Sequence, residues 1–179
     1  MARPHIHYEA AFQDFMRAEG IPFVPVNEAR KAIFGGRLVK SFDFLVYGAH
    51  ETTWLADVKG RRFPYDHDGR RRYWENWVTG DDLESLERWQ DSFGEAFTAA
   101  FVFAYWLCGA PRLWPETAVH PHAGRYYGFL AVDLGVYRAH CRRRSPRWDT
   151  FTMPRATFRR LARPVTSWWS SDVTGRGVY

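Results

Sequence analysis

Two aspartates and a lysine in the first third of the chain have the residue types and spacing for chemistry on a phosphate. Asp43 follows Ser41-Phe42, and Asp57 and Lys59 flank Val58 fourteen residues later. Side chains two apart on a strand share a face, so Asp57 and Lys59 should point the same way. A carboxylate in an apolar strand is costly unless it is paired or bound to a metal. Two neighbouring carboxylates also repel, and a divalent cation relieves that repulsion.

Lysine is scarce in this chain, which makes Lys59 more informative than usual. Of the 25 basic residues only Lys31, Lys40 and Lys59 are lysines, and Lys59 gives the only acid-x-Lys triplet. Oxygen ligands favour Mg²⁺ or Mn²⁺ over zinc. The metal would polarise a phosphate and activate a water, which Lys59 would hold or deprotonate. The alternative is a salt bridge between Asp57 and Lys59 at a strand end, with Asp43 capping a turn.

The predicted elements place these residues on two adjacent strands. Apolar side chains at helical spacing predict a first helix over residues 5–19, and Gly20 ends it. A short strand is expected over 23–26. Alternation over 38–47 puts Phe42, Phe44 and Val46 on the face opposite Asp43, and alternation over 53–61 predicts its antiparallel neighbour.

The rest of the chain continues the alternation of helices and strands. A helix is expected from Asp81 to just before Gly94, and strands over 97–107 and 126–134. A helix should begin within 137–144, and a last one should cover 155–163. This order predicts an α/β (α+β mixed sheet) fold in a single domain over 1–179, with a core at about 5–107 and a C-terminal extension at about 108–179.

Together, Asp43, the Asp57-Val58-Lys59 triplet and Glu9 on the preceding helix resemble the PD-(D/E)xK (restriction endonuclease-like) nuclease superfamily. That superfamily includes restriction endonucleases and archaeal-type Holliday-junction resolvases. Its common core of helix, three strands, helix and strand matches the predicted order over about residues 5–107. One departure is Phe42, which stands where many members have proline.

The resemblance implies a role for each matching residue. Asp43 and Asp57 would be metal ligands with the Val58 backbone carbonyl, and Lys59 would be the catalytic lysine. Glu9 would support the metal or its water shell, although a solvated helix acid paired with His5 is the open alternative. Gln90 would match a polar residue on the second core helix, near the site; the alternative is a surface residue.

Basic and aromatic residues near the triplet are candidates for nucleic-acid contact, since guanidinium groups bind phosphates and rings stack on bases. The predicted set is Lys40, Arg61, Arg62, Arg70, Arg71, Arg72 and Trp74. The alternatives are an exposed strand-end lysine and a solvated arginine run whose tryptophans anchor a loop. A second arginine cluster over 142–163 is expected to form a charged helical face, with DNA contact left open.

Composition bounds the remaining questions. The net charge of +5 favours a polyanionic partner only weakly. Cys108 and Cys141 are expected to be reduced thiols, and a zinc site built from them and nearby histidines lacks the short paired spacing. The sequence has no hydrophobic signal core and no apolar run long enough to cross a bilayer, so a cytoplasmic protein without membrane contact is expected.

These observations predict a Mg²⁺-dependent (or Mn²⁺-dependent) phosphodiesterase that acts on nucleic acid, with DNA favoured over RNA. Many members of the superfamily act as dimers, so a homodimer is a further expectation of the resemblance. The first alternative is a nucleic-acid-binding or assembly module with the same fold and no activity. The second is an interaction protein whose arginine-rich face meets another protein.

Overall fold

Helix α1, Ile6–Ala18, covers one face of the central sheet and begins and ends within a residue of its prediction. The computed structural model describes residues 6–26, 32–34, 37–49, 51–64, 74–111, 114 and 118–168. Phe12 and Met16 on the apolar stripe of α1 are completely buried. Burial of each contributes roughly 1.5–3 kcal/mol of transfer free energy, which fixes the helix against the strands below it.

The predicted strand over 38–47 is divided into two elements, and this corrects the sequence-based expectation. The strands of this region are β1 (Phe23–Pro25), β2 (Ala32–Phe34), β3 (Arg37–Val39), β4 (Phe44–Tyr47) and β5 (Thr53–Phe63). The chain bends at Asp43, so strict alternation stops there. Phe42 consequently packs in the core on the opposite side of the sheet from Phe44.

The second predicted helix and the long apolar strand have the expected positions. Strand β6 (Val78–Thr79) leads into helix α2 (Gly80–Phe93), and strand β7 (Phe97–Leu107) follows. Thr79 caps the helix by accepting the Asp82 N–H, and the Asp82 side chain accepts the Thr79 N–H in return. Such a reciprocal capping box satisfies two helix-end donors that would otherwise lack partners.

The C-terminal third forms strands as well as helices. Its elements are β8 (His120–His122), β9 (Arg125–Asp133), α3 (Leu134–His140), β10 (Arg142–Ser145), β11 (Thr150–Thr152), α4 (Arg155–Leu161), β12 (Arg163–Pro164) and a 3₁₀ helix (Val165–Trp168). The helix expected within 137–144 begins earlier, because Asp133 caps it through the Val136 N–H. Residues 142–145 are a strand, so the expected helical face of the arginine cluster is wrong at that point.

The central sheet is mixed, as predicted. Its strand order is β1-β4-β5-β7-β9-β12, with β8 paired to β9. β5 and β7 are parallel from Thr53↔Phe97 to Phe63↔Leu107, whereas β4 and β5 are antiparallel neighbours. The parallel pair is connected through α2, which lies on the opposite face from α1; the sheet therefore separates two apolar cores.

The C-terminal extension adds strands to the central sheet and to the strand that leads into α2. β12 pairs with β9, and β11 pairs with β6 in a smaller sheet of order β10-β11-β6. The Gly80 N–H, at the start of α2, donates to the Asp149 carbonyl at 2.8 Å. Among the described residues, no helix has the length and apolar character needed to span a membrane.

Candidate active site

Asp43 lies where β4 and β5 separate. The two strands pair from Tyr47↔Thr53 to Phe44↔Ala56, and the Asp43 N–H adds a last ladder bond to the Ala56 carbonyl at 3.0 Å. The Asp43 side chain then takes over, because its Oδ2 accepts the Val58 N–H at 2.5 Å. A buried carboxylate thereby completes the backbone hydrogen bonding of β5, and this fixes its position.

The same geometry orients the Val58 carbonyl. In a strand, the N–H and C=O of one residue point to the same neighbour. The Val58 N–H points to Asp43 on the β4 side, so the Val58 carbonyl lies along that edge, beyond the last β4 ladder bond. Two carboxylates and a backbone oxygen therefore border one short stretch of β5.

Asp57 and Lys59 share a face of β5, as their spacing predicts. The Lys59 Nζ lies 2.8 Å from Asp57 Oδ2, and both side chains are largely buried. The sequence-based alternative, a salt bridge between this pair, is therefore present. It lies beside Asp43 in the interior of the site rather than at an exposed strand end.

Asp82 is a third acid that the sequence analysis missed. Its Oδ1 lies 3.2 Å from Lys59 Nζ and 3.2 Å from Lys40 Nζ, while its Oδ2 accepts the Thr79 N–H. The sequence signal for this residue was the Thr79-x-x-Asp82 capping pattern at the start of α2. Lys40 also pairs with the exposed Asp81 at 2.9 Å, so two lysines and three acids of this region form one charged network with Asp82 between the lysines.

Burial and charge shift the acids of this network in opposite directions. Burial raises the pKa of Asp57 above its ordinary value, although Lys59 acts against that change. Burial also favours a neutral Asp82, but Lys59, Thr79 and Lys40 outweigh it and lower the pKa of Asp82 to about 2. Burial alone would lower the pKa of Lys59; Asp57 and Asp82 outweigh it and keep the pKa above its ordinary value. Lys59 is therefore an ammonium ion at neutral pH.

These side chains line a cavity of about 510 Å³ between α1, β5 and α2. Glu9 on α1 also lines it, together with Tyr8, so the structure brings Glu9 to the same cavity as Asp43 and Asp57. Gly60 allows this approach: a Cβ at Gly60 would lie 2.2 Å from Cδ2 of Tyr8. A glycine directly after Lys59 therefore lets the helix with Glu9 lie against β5.

The predicted nucleic-acid-binding residues differ in their burial and in their contacts. Lys40 is exposed at the cavity edge, whereas Arg61 is buried, donates to the Gly60 and Trp77 carbonyls and lies 4.0 Å from the Trp77 ring centre. Arg62 lies 5.5 Å from the Trp106 ring centre. Arg61 therefore stabilises the cavity wall instead of presenting a free charge. Arg70, Arg71 and Arg72 lie outside the described residues.

Trp74 packs into the protein. Its ring centre is 4.2 Å from that of Tyr105 and 4.9 Å from that of Phe63. These contacts with buried rings agree with the alternative that the tryptophans of this segment anchor it to the core. Contact of Trp74 with nucleic acid stays a prediction from the sequence.

Gln90 lies at the opposite end of α2 from Asp82 and is not among the residues that line the cavity. Its Nε2 donates to the Phe97 carbonyl and its Oε1 accepts the Ala99 N–H, each at 2.5 Å. The side chain thus ties the end of α2 to the start of β7. Both amide atoms are used in a backbone bridge, and the structure does not bring Gln90 to the cavity that the acids line.

The donor set determines which metal the residues suit. Within the described ranges, no three His, Cys, Asp or Glu side chains form a group that could hold a metal ion. Structural zinc typically has four protein ligands, and the described residues do not present such a set. Mg²⁺ typically uses one or two carboxylates and completes its shell with water and substrate phosphate. Asp43, Asp57 and the Val58 carbonyl fit that pattern. Cys108 and Cys141 do not form a disulfide.

Comparison with known proteins identifies the fold. No protein-family model matches the sequence, and no curated protein matches it. The solved structure of Hjc, a Holliday junction resolvase from the archaeal hyperthermophile Archaeoglobus fulgidus, is similar with a TM-score of 0.52 and 12% identity. The match covers 90% of this chain and 97% of that chain. The restriction endonuclease-like fold expected from the sequence is thus confirmed.

Proposed function

We propose that this protein is a metal-dependent phosphodiesterase that cleaves nucleic acid in the manner of PD-(D/E)xK nucleases. The observation that carries the proposal is the position of Asp43. Its carboxylate accepts a hydrogen bond from the N–H of Val58, the residue between Asp57 and Lys59. All four residues line one cavity. The likeness to a nuclease fold at 12% identity supports the fold, and these residues supply the chemistry.

Asp43, Asp57 and the Val58 carbonyl would hold Mg²⁺ or Mn²⁺. When bound, such an ion polarises a phosphoryl oxygen and lowers the pKa of a coordinated water. Asp43 is suited to this role because its bond to the Val58 N–H holds the side chain in place before any ion arrives. Asp57 is suited because burial raises its pKa, and a cation nearby stabilises its charged form.

Lys59 would position the attacking water by donating a hydrogen bond to it. Its raised pKa keeps the amine protonated, so the residue acts as a donor and a positive charge rather than as a base. Asp57 and Asp82 hold the ammonium from two sides, which limits its rotation. A positioned cation of this kind also stabilises negative charge as it develops on the phosphate.

Glu9 would support the water shell of the ion from across the cavity. It comes from α1 whereas the other acids come from the sheet and α2, so it closes the third side of the site. Gln90 is left out of the proposed machinery because its amide bridges α2 to β7. Arg61 is included only as a structural support of the wall.

The proposed substrate is DNA in preference to RNA. The comparison structure is a Holliday junction resolvase by name, and for this chain branched DNA is one substrate to be tried among several. Lys40 lies at the cavity edge and is the described member of the predicted set best placed to contact a phosphate. A homodimer and a cytoplasmic location stay predictions from the sequence.

A cleavage assay with end-labelled substrates tests the proposal. Linear duplex, single-stranded DNA, a four-way junction and RNA are incubated with Mg²⁺, Mn²⁺ or EDTA. We expect metal-dependent cleavage of at least one DNA substrate, with a loss of at least about 100-fold in Asp57→Asn. Asp91→Asn, an exposed acid at the end of α2, is the matched control and should keep full activity. Equal cleavage by Asp57→Asn would overturn the assignment.

One observation favours a second candidate, a nucleic-acid-binding module without activity. The Lys59 ammonium already neutralises part of the charge of Asp57 and Asp82, so the acids have a stable arrangement without a metal. Mn²⁺ binding separates the two functions. If Mn²⁺ neither binds to the wild-type protein nor changes its melting temperature, a nucleic-acid-binding module without activity is the better description.

A further inference from the structure

The positive charge of this protein is concentrated in one segment of the C-terminal extension. Residues 142–163 contain eight arginines and a single acid, Asp149, which gives the segment a net charge of +7. The whole chain has a net charge of +5, so the remainder is slightly acidic. All eight arginines are exposed. A surface of this kind attracts a polyanion far more strongly than the modest net charge suggests.

The segment is joined to the candidate active site through strand pairing. In the smaller sheet, β10 pairs with β11 and β11 pairs with β6. Thr79 of β6 lines the active-site cavity and pairs with Thr150 of β11. Neighbouring strands are about 4.8 Å apart, so the arginines of β10 lie on the order of 10 Å from Thr79. That distance is spanned by a few nucleotides of a strand held in the cavity.

The three arginines of β10 have different surroundings, and the pairing of β10 with β11 is irregular between Arg143 and Ser145. Arg143 lies 5.6 Å from the Phe151 ring centre and pairs with Asp149. Arg142 and Arg144, with Arg155, line a second cavity of about 170 Å³. Trp77 lines this cavity and the active-site cavity as well, so the two adjoin at one side chain.

The second cavity has the chemistry of an anion site. Arg142, Arg144 and Arg155 all line it, and the Arg144 guanidinium lies 5.4 Å from the centre of the Trp77 ring, which belongs to both cavities. The one acid that lines it, Glu75, lies 3.7 Å from Arg144, and burial raises the pKa of this carboxyl. The two N–H donors of a guanidinium group match a pair of phosphate oxygens. This lining therefore suits a phosphodiester better than an uncharged apolar ligand.

We propose that Arg142, Arg144 and Arg155 bind a backbone phosphate of the nucleic-acid strand whose scissile bond lies in the neighbouring cavity. The inference rests on the proposed function and deepens it. It assigns the C-terminal extension a substrate-binding role. The bound nucleic-acid strand would run from one cavity to the other past Trp77, which lines both. The enzyme would therefore need a substrate that extends several nucleotides beyond the bond it cleaves.

Fluorescence anisotropy of a labelled DNA duplex in EDTA tests the proposal, because it measures binding without cleavage. Arg142→Gln/Arg144→Gln is compared with Arg159→Gln/Arg160→Gln, which removes the same charge from α4. We expect the first pair to weaken binding on the order of ten-fold and to reduce the salt dependence of log K by about 0.9, since one lost phosphate contact contributes about that much. The α4 pair should have a clearly smaller effect.

Two further measurements keep the result interpretable. Arg142→Lys/Arg144→Lys retains the charge and should recover the salt dependence but only part of the affinity, because an ammonium lacks the paired donors of a guanidinium; a variant that had lost its fold would recover neither. Polyglutamate of matched charge should compete poorly; competition equal to that of DNA would show a general acidic-protein surface and overturn the proposal. Equal losses from the β10 and α4 pairs would also overturn it, since they would show diffuse charge and no site.

Failure of this inference is distinguishable from failure of the proposed function. Binding that depends on Arg142 and Arg144, in a protein that cleaves nothing with Mg²⁺ or Mn²⁺, would support the phosphate site and reject the nuclease. Metal-dependent cleavage and binding that are both unchanged in Arg142→Gln/Arg144→Gln would reject the phosphate site and leave the nuclease intact.

Discussion

The Nζ of Lys59, on strand β5, lies 3.2 Å from Oδ1 of Asp82, on the first turn of helix α2. The two residues are 23 positions apart and come from elements on either side of the cavity. Their ion pair therefore links the strand that carries Asp57 to the helix that covers it. Because Asp82 is also the capping-box partner of Thr79, the position of Lys59 depends on how α2 begins.

Asp82→Asn tests this link. The amide can still accept the Thr79 N–H, so the helix cap is retained while the charge that holds Lys59 and Lys40 is lost. We expect cleavage to fall roughly ten-fold or more and the alkaline limb of its pH profile to move to lower pH, since the pKa of Lys59 drops. Asp81→Asn, which removes an exposed partner of Lys40 only, is the control. It should lower the free energy of unfolding by about 0.5 kcal/mol or less.

Acid titration of stability should reveal the same residue. The folded-state pKa of Asp82 is lowered from 3.8 to about 2, so its stabilisation is fully present above pH 3.8 and is lost as pH falls through 2. The shift corresponds to about 2 kcal/mol. Urea unfolding from pH 5 to pH 2 should show the wild type losing about that much more free energy of unfolding than Asp82→Asn.

Asp57 acts in the opposite sense on the same curve. Its pKa is raised in the folded state, so the stability associated with its protonated form is lost as pH rises above 3.8. Comparing Asp82→Asn with Asp57→Asn therefore separates the two contributions. Identical pH dependence in the wild type and in Asp82→Asn would contradict the assignment of the lowered pKa to that carboxyl.

Lys59→Met should separate metal binding from catalysis. Removal of the ammonium leaves Asp57 and Asp82 without their shared partner, so the metal-free protein should lose about 3 kcal/mol of stability. The same loss should make the site more attractive to a cation. We expect Mn²⁺ to bind this variant more tightly than the wild type and to restore much of its melting temperature, while cleavage is abolished.

The decisive result for that variant comes from isothermal titration with Mn²⁺ combined with the cleavage assay. Tighter binding without cleavage agrees with an ammonium that balances charge and positions water. Unchanged cleavage would show that Lys59 has no role in the reaction, and weaker Mn²⁺ binding would show that the acids are not metal ligands.

Asp43→Asn should remove metal binding while preserving the fold. The asparagine oxygen can still accept the Val58 N–H, so the backbone of β5 keeps its partner. We expect Mn²⁺ affinity to fall at least about ten-fold and the metal-dependent rise in melting temperature to disappear. Asp14→Asn, an acid that contacts His120 and His122 away from the cavity, should bind Mn²⁺ like the wild type.

Gly60→Ala should damage the site through packing alone. The added methyl group would lie 2.2 Å from the Tyr8 ring, so α1 must move and carry Glu9 with it. Overpacking of this kind costs about 1–3 kcal/mol. A double-mutant cycle with Tyr8→Ala measures the coupling: Gly60→Ala should be much less harmful in the Tyr8→Ala background. Independent effects would contradict the close approach.

The sequence predicts the elements around the site well, because their signals are local. The helical spacing of Phe12, Phe15 and Met16 fixes α1, and the apolar run over 97–107 fixes β7. The period of two on β5 correctly places Asp57 beside Lys59. Adjacent antiparallel strands then bring Asp43 to the same place.

The errors arise where tertiary contacts override a local pattern. Phe42 follows the alternation of β4 in sequence, but the bend at Asp43 turns it into the other core. Gln90 lies on the predicted helix, but at the end that is far from Asp82. Its hydrogen bonds go to backbone atoms at the start of β7, which its sequence neighbourhood does not predict. The sequence near Asp82 predicts the start of a helix. It does not predict that Lys40 and Lys59, which are distant in sequence, both form ion pairs with this carboxylate.

The pairing of β11 with β6 has a consequence for how the protein is made. A growing chain contains Asp43, Asp57 and Lys59 long before it contains Thr150 and Phe151, which complete the sheet that precedes α2. Elements synthesised early can fold first. The start of α2, and with it Asp82, gains its last hydrogen-bonded neighbours only after Asp149, Thr150 and Phe151 have left the ribosome. We expect the proposed activity to appear only after that segment has been translated.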